Sequence, residues 1–153
     1  TAADQKHILN AKNIPVVQSD RGGEVTYHGP GQLVIYFMID VKRSKLGPKT
    51  LVKSLQEFTK SLLKEYSIDS KFIEGAPGVY VNEKKIASIG LRISKGKTYH
   101  GISINVDMDL TPFGYINPCG YQGLEVTQIK ELNNQVTIKD VERLAIELLE
   151  PIF

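Results

Sequence analysis

Lys84-Lys85-Ile86-Ala87-Ser88-Ile89-Gly90-Leu91-Arg92-Ile93-Ser94-Lys95-Gly96-Lys97-Thr98-Tyr99-His100-Gly101-Ile102-Ser103-Ile104-Asn105 is the stretch on which the fold turns. Two runs of alternating character flank Ser94-Lys95-Gly96-Lys97, and Gly96 suits a tight turn, so the segment predicts a β-hairpin. With Lys95-Gly96 as the central pair, Ser94 faces Lys97, and counting outward sets Gly90 opposite Gly101 and Ser88 opposite Ser103. One face of the hairpin then carries a stripe of small residues. The other carries Ala87, Ile89, Leu91 and Ile93 beside Thr98, His100, Ile102 and Ile104, a mostly apolar set expected in the core. The stripe suits either close packing under a helix or a floor on which an extended apolar ligand lies near backbone.

Outward from the hairpin, Leu51, Val52, Leu55, Phe58, Leu62, Leu63 and Tyr66 recur at helical spacing after Thr50, which is expected to be the N-cap. Val141, Leu144, Ala145, Leu148 and Leu149 repeat the pattern behind Thr137, with Asp140 at the capping-box position. Val16-Val17, Val25 to Tyr27, the apolar run from Leu33 to Ile39, and Gly78 to Val81 read as further strands, the third of them buried. These elements predict an α/β or α+β class.

A chain of 153 residues with 41% hydrophobic content is the size of one domain, expected to bury roughly 70% of the surface its unfolded form exposes. The longest uninterrupted apolar run is too short to cross a bilayer and no leader pattern precedes it, so a cytoplasmic protein with no membrane partner is expected. A net charge of +2, from 19 basic and 17 acidic residues, gives no basis for nucleic acid as the main partner. Lys42, Arg43, Lys45 and Lys49 crowd one short stretch that reads as a solvated loop, with a docking patch for an acidic partner as the alternative. A monomer is the default.

The single cysteine, Cys119, makes neither an internal disulfide nor a multi-thiolate metal site, and three histidines without paired ligand spacing predict no metal. Cys119 stands between Pro118 and Gly120 in a predicted loop, so it is either a small buried hydrophobe or a nucleophile. An unperturbed thiol is only about 3% ionised at pH 7, and a reactive one needs a partner. His28, His100 and one of the lysines are the candidates. By strand alternation Lys85 shares the face of Ala87, Ile89 and Leu91, while Lys84 points the other way. A desolvated lysine gives up its proton more readily, and its charge beside a thiol stabilises a thiolate. A strand-end lysine with its head in water is the plainer alternative.

Asp20-Arg21-Gly22-Gly23-Glu24-Val25-Thr26-Tyr27-His28-Gly29-Pro30-Gly31-Gln32 packs four glycines and a proline around two short strand candidates. It lacks the Gly-Lys-Ser/Thr ending of a phosphate-cradling loop. Its glycines allow tight turns, and they also let backbone N–H groups approach a substrate whose carbonyl oxygen gains charge.

Arg21-Gly22-Gly23 running into Thr26-Tyr27-His28-Gly29-Pro30-Gly31-Gln32, then Gly78-Val79-Tyr80-Val81, Lys85-Ile86-Ala87-Ser88-Ile89-Gly90-Leu91-Arg92, Tyr99-His100-Gly101 and Asn117-Pro118-Cys119-Gly120 closely resemble the lipoyl(octanoyl) transferases of lipoate biosynthesis. The likeness runs in order from about Ile8 to the last predicted helix. It implies a mixed β-sheet flanked by helices, related to biotin protein ligases and lipoate–protein ligases. The whole of 1–153 is then a single catalytic domain, without the several dozen N-terminal residues that the family places ahead of it. The resemblance further implies that octanoyl passes from octanoyl-acyl carrier protein to Cys119 and then to a lysine of a lipoyl domain, in 2-oxoacid dehydrogenase complexes or the glycine cleavage H protein.

The family's catalytic lysine falls on Lys85. Its acyl-binding stretches fall on Arg21, Gly22, Gly23, Glu24, Val25, Thr26, Tyr27 and His28, on Ser88, Ile89 and Gly90, and on Gly101, Ile102 and Ser103. Thioester exchange is nearly isoenergetic and amide formation from a thioester is downhill, so no cofactor or ATP is expected. Full ionisation of Cys119 gains about thirtyfold in thiolate, roughly 2 kcal/mol, against the 10²- to 10⁴-fold typical of general acid–base catalysis. Lys85 is therefore expected to move protons as well. The rivals are an ATP-dependent lipoate–protein ligase, against which the Pro-Cys-Gly setting argues, and a non-catalytic module that binds carrier protein or lipoyl domain through its lysine-rich loop.

Overall fold

The computed structural model describes residues 7–117 and 123–149. Its centre is the predicted hairpin, formed by β4 (Lys84–Ser94) and β5 (Lys97–Asn105). Lys95 and Gly96 both adopt positive φ, 51° and 80°, the backbone twist that a two-residue hairpin turn requires. Ser94 pairs with Lys97, Gly90 with Gly101 and Ser88 with Ser103, as the sequence predicts. β1 (Gln32–Tyr36) adds to β5, and β3 (Ala76–Val81) to β4, with β2 (Lys71–Ile73) outermost, giving the order β1-β5-β4-β3-β2. All four named pairings are antiparallel. The mixed character expected of the sheet rests on one parallel bridge among the described residues, Lys85 to Val126.

One face of the sheet is covered by α2 (Pro48–Glu65) and α4 (Ile138–Leu149). Leu55, Phe58, Leu62 and Leu63 of α2 and Val141 and Ala145 of α4 meet Ala87, Ile102 and Ile104 of the hairpin in a continuous buried core. Each fully buried Leu or Ile side chain contributes about 1.5–3 kcal/mol, so the helical stripes read from sequence are what hold this layer down. The capping box before α4 is present: Thr137 Oγ1 and N donate to the Asp140 carboxylate, and Asp140 N donates back to Thr137 Oγ1. Thr50 is not the cap of α2. The helix starts two residues earlier at Pro48, whose fixed φ and missing N–H suit the first turn, and Gly47 is the N-cap.

The run from Leu33 to Ile39 is not a buried strand. β1 lies at the sheet edge and ends at Tyr36, and alternation along it turns Phe37 inward while Val34, Tyr36 and Met38 are exposed. Val16-Val17 and Val25 to Tyr27 form no strand either, because no neighbouring strand among the described residues offers them a ladder of hydrogen bonds. These residues instead line an apolar cavity of about 90 Å³ with Pro112, Tyr115 and Ile116, beside the 3₁₀ turn Thr111–Tyr115. The short helices α1 (Val41–Ser44) and α3 (Ile129–Leu132) complete the described elements. No described helix is long and apolar enough to cross a membrane.

Candidate active site

Lys85 opens β4 and is 3% exposed, whereas the side chain of Lys84 is 44% exposed and reaches Glu125 at 3.5 Å. Alternation thus divides the two lysines as the sequence predicts. The ammonium of Lys85 lies 5.8 Å from the Tyr80 ring centre, and its stem passes over Gly78. A β-carbon on Gly78 would sit 2.5 Å from Lys85 Cε and 2.7 Å from the Ala87 carbonyl oxygen, and the Gly78 φ of 142° also disfavours a side chain. A glycine at 78 therefore makes the channel through which Lys85 extends. The backbone of Lys85 is held from the other side: its N–H donates to Glu125 O, and its carbonyl accepts from Thr127 N–H. Glu125 and Thr127 follow Cys119 closely in sequence. Cys119 itself lies outside the described residues.

Beyond Ala87, no strand among the described residues pairs with β4 on its β3 side, and the glycine-rich segment occupies part of that edge. Gly22 N–H donates to Leu91 O at 3.1 Å, and Arg92 donates to Asp20 O. Gly90 is the reason the segment can approach: a β-carbon there would lie 2.9 Å from Gly22 O and 3.3 Å from Arg21 Cδ. Glu24 lines a cleft of about 450 Å³ along β4, Val25 and Tyr27 line the separate apolar cavity, and Thr26 borders both. That cleft is walled by Val52, Ile89, Leu91 and Ile93, with Lys85, Ser88 and Thr26 supplying polar groups. Its size and its few convergent polar groups suit an apolar ligand with one reactive end.

A second, smaller cavity of about 40 Å³ adjoins the cleft through Thr26, Ser88 and Gly90, and Arg21, His28, His100 and Ser103 line it. The predicted site residues that lie among the described ones are therefore gathered on two neighbouring cavities, except Val25 and Tyr27. Gly101 lines the smaller cavity and also meets β1: a β-carbon on it would overlap the Ile35 carbonyl oxygen and press on Phe37, so the neighbouring strand demands glycine there.

His100 does not join the core face. Its φ of 65° swings the ring onto the small-residue side, where it meets Tyr36 at 5.9 Å between ring centres and Tyr99 at 5.0 Å. Strand alternation fails here because a positive φ breaks the pleat. The ring is tied to Asp20, whose carboxylate accepts from His100 Nε2 at 2.8 Å and from Tyr99 Oη at 2.7 Å. The hydrogen bonds from His100 and Tyr99 hold the Asp20 carboxyl below its ordinary range, and the Asp20 carboxylate in turn raises the Tyr99 hydroxyl. Nothing local in the sequence announced this cluster, since Asp20 and His100 are 80 positions apart.

His28 is exposed at the rim and belongs to a hydrogen-bonded chain. Its Nδ1 is 2.7 Å from Gln32 Oε1; Gln32 Nε2 donates to Asn105 Oδ1 at 2.9 Å and to Tyr27 O at 3.3 Å; Asn105 Nδ2 donates to Thr127 O at 3.0 Å. Thr127 is the residue whose N–H binds Lys85 O. Gln32 and Asn105 were not among the site residues expected from sequence, although Gln32 closes the quoted glycine-rich motif. Among the described residues no three His, Cys, Asp or Glu side chains come together as metal ligands.

Residues 3–150 match the family model described as the lipoyl protein ligase A/B catalytic domain. The chain is 55% identical over 139 residues to an octanoyltransferase of Francisella tularensis subsp. novicida, covering 90% of this chain and 68% of that protein. In three dimensions it is similar to a lipoate-protein ligase A bound with ATP, with a TM-score of 0.73 and 16% identity over 98% of this chain and 63% of that one. It is also similar to biotin protein ligase of Aquifex aeolicus, with a TM-score of 0.62 and 22% identity over 79% of this chain and 51% of that one. At those identities the two structures speak to the fold alone. The chain spans about two thirds of the relative's length and less than two thirds of either solved chain.

Proposed function

This chain belongs to the lipoyl protein ligase A/B catalytic-domain family, and from that premise we propose that it is an octanoyltransferase of protein lipoylation, moving an octanoyl group from acyl carrier protein to a lysine of a lipoyl domain. Cys119 attacks the carrier thioester and holds the acyl group as a thioester of its own. Lys85 takes the proton of the Cys119 thiol, returns it to the departing carrier thiol, and serves again when the acceptor amine attacks. The octanoyl chain lies in the cleft along β4, between the Gly22–Thr26 segment and the Ser88–Gly90 stretch.

The observation that carries this reading is the placement of Lys85: a lysine 3% exposed as a whole residue that lines an apolar cleft. Its backbone is hydrogen-bonded to residues that follow Cys119 closely. A cleft with apolar walls suits a saturated chain, and a buried lysine suits proton transfer to and from a thiol. The Francisella relative's name, octanoyltransferase, supports the same activity.

An ATP-dependent ligase on the same fold would activate a free acid. The test is to offer the protein a lipoyl domain with octanoate and ATP, or with octanoyl carrier protein alone. Modification only with the carrier thioester is expected; modification with octanoate and ATP would overturn the transferase reading.

A further inference from the structure

We infer that His28 is a second catalytic base, which removes the first proton from the incoming acceptor ammonium, and that Gln32 and Asn105 are positioning residues that hold it in the tautomer this task needs. The inference rests on the octanoyltransferase reading and deepens it.

The proton count of the transfer step sets the demand. The acceptor lysine enters mainly as R–NH₃⁺ and leaves as an amide N–H, so it loses two protons while a C–N bond forms and the C–S bond of acyl-Cys119 breaks. The electron pair of that bond goes to sulfur, and one proton follows it through Lys85 to regenerate the thiol. Lys85 returns to its starting state and cannot take the other proton, which must reach solvent before the nitrogen lone pair can attack. Without a base for it, the reaction draws on roughly one free amine in 2,500 at pH 7. Lys85, at 3% exposure, is badly placed to deliver protons to water.

The hydrogen-bonded chain supplies the rest. Thr127 O is a backbone carbonyl and only accepts, so Asn105 must turn its NH₂ toward it and its oxygen toward Gln32. Gln32 must then donate to Asn105 Oδ1 and to the Tyr27 carbonyl, which leaves Gln32 Oε1 facing His28 Nδ1 at 2.7 Å. An amide oxygen only accepts, so Nδ1 carries the hydrogen and the neutral ring keeps a bare lone pair on Nε2. Two fixed backbone carbonyls thus determine a tautomer three side chains away. His28 is an exposed residue lining the cavity that adjoins the cleft at Ser88 and Gly90, so a proton on Nε2 has a way out to water. His100 also lines this cavity but is bound to the Asp20 carboxylate through Nε2.

The test separates loading from transfer in single-turnover measurements on the full chain. In His28→Asn the side-chain N–H still donates to Gln32 while the base is gone. Transfer from acyl-Cys119 to a lipoyl domain is expected to fall by about 10²-fold, the low end for one positioned base, and by at least about tenfold more than loading falls. Added imidazole is expected to restore transfer by His28→Ala, and the ring nitrogen shifts of neutral His28 in the parent are expected to report the Nδ1–H form. Equal losses in both steps, no rescue by imidazole, or an Nε2–H ring would each overturn the inference. A greater loss of transfer in His100→Gln than in His28→Asn would overturn it in favour of His100. A parent that never loads Cys119 would instead overturn the octanoyltransferase reading.

Discussion

At the scale of single residues, Lys85 is asked to do two things: stabilise a thiolate and carry protons. Arginine separates them, because its charge stabilises a neighbouring thiolate while its guanidinium does not deprotonate in proteins. Lys85→Ala is expected to slow loading and transfer alike. Lys85→Arg is expected to preserve much of the Cys119 alkylation rate yet lose transfer by 10²-fold or more. Transfer at the parent rate in Lys85→Arg would reduce Lys85 to an electrostatic neighbour. Gly78 gives an independent check on the same lysine. Gly78→Ala places a methyl against Lys85 Cε and the Ala87 carbonyl at a φ of 142°, and backbone strain of this kind costs about 1–3 kcal/mol. Its melting temperature and turnover are both expected to fall, while Gly114→Ala, with nothing within 4 Å of the new carbon, is expected to change neither; an unchanged Gly78→Ala would show that Lys85 does not need this channel.

At the scale of elements, the hairpin and the two long helices were legible because local rules govern them. Turn chemistry fixed the β4–β5 register, and apolar spacing fixed the buried faces of α2 and α4. Misreadings arose where a distant partner or one dihedral angle decides the outcome. Val25 to Tyr27 has the sequence pattern of a strand and lies between two cavities, but it lacks a paired neighbour among the described residues. His100 follows the pattern of its strand in sequence, yet a φ of 65° moves its ring to the opposite face.

The start of α4 offers a test of element stability. Hydrogen bonds from Thr137 hold the Asp140 carboxyl below its ordinary range. A lowered folded-state value means that Asp140 contributes its full stability above the unfolded pKa of about 3.9 and loses it as pH falls through the lower folded value. Asp140→Asn is therefore expected to lower the melting temperature at pH 7 but to differ little from the parent near pH 2. A deficit that persisted undiminished in acid would contradict the carboxylate's part in the cap. Thr137→Ala, which removes the other half, is expected to cost about 1 kcal/mol at pH 7.

At the scale of the molecule, the site is made by bringing four stretches of chain together along β4: residues 20–32, residues 75–78, the hairpin, and residues 125–127. Most of the residues singled out by the resemblance line the two adjoining cavities, because motif glycines mark the close approaches of backbone. Gly78 clears the way for Lys85, and Gly90 admits the Arg21-Gly22 segment. The Asp20–His100–Tyr99 cluster and the chain from His28 to Thr127 were not legible, since each depends on a contact between residues 73 or more positions apart. The central claim concerns an acyl group held on this chain. Incubating the protein with octanoyl carrier protein and measuring its intact mass, then its peptides, is the most direct test. One octanoyl group on Cys119, removed by adding a lipoyl domain and absent from Cys119→Ser, is expected; no adduct in the parent, or an undiminished adduct and full turnover in Cys119→Ser, would contradict it.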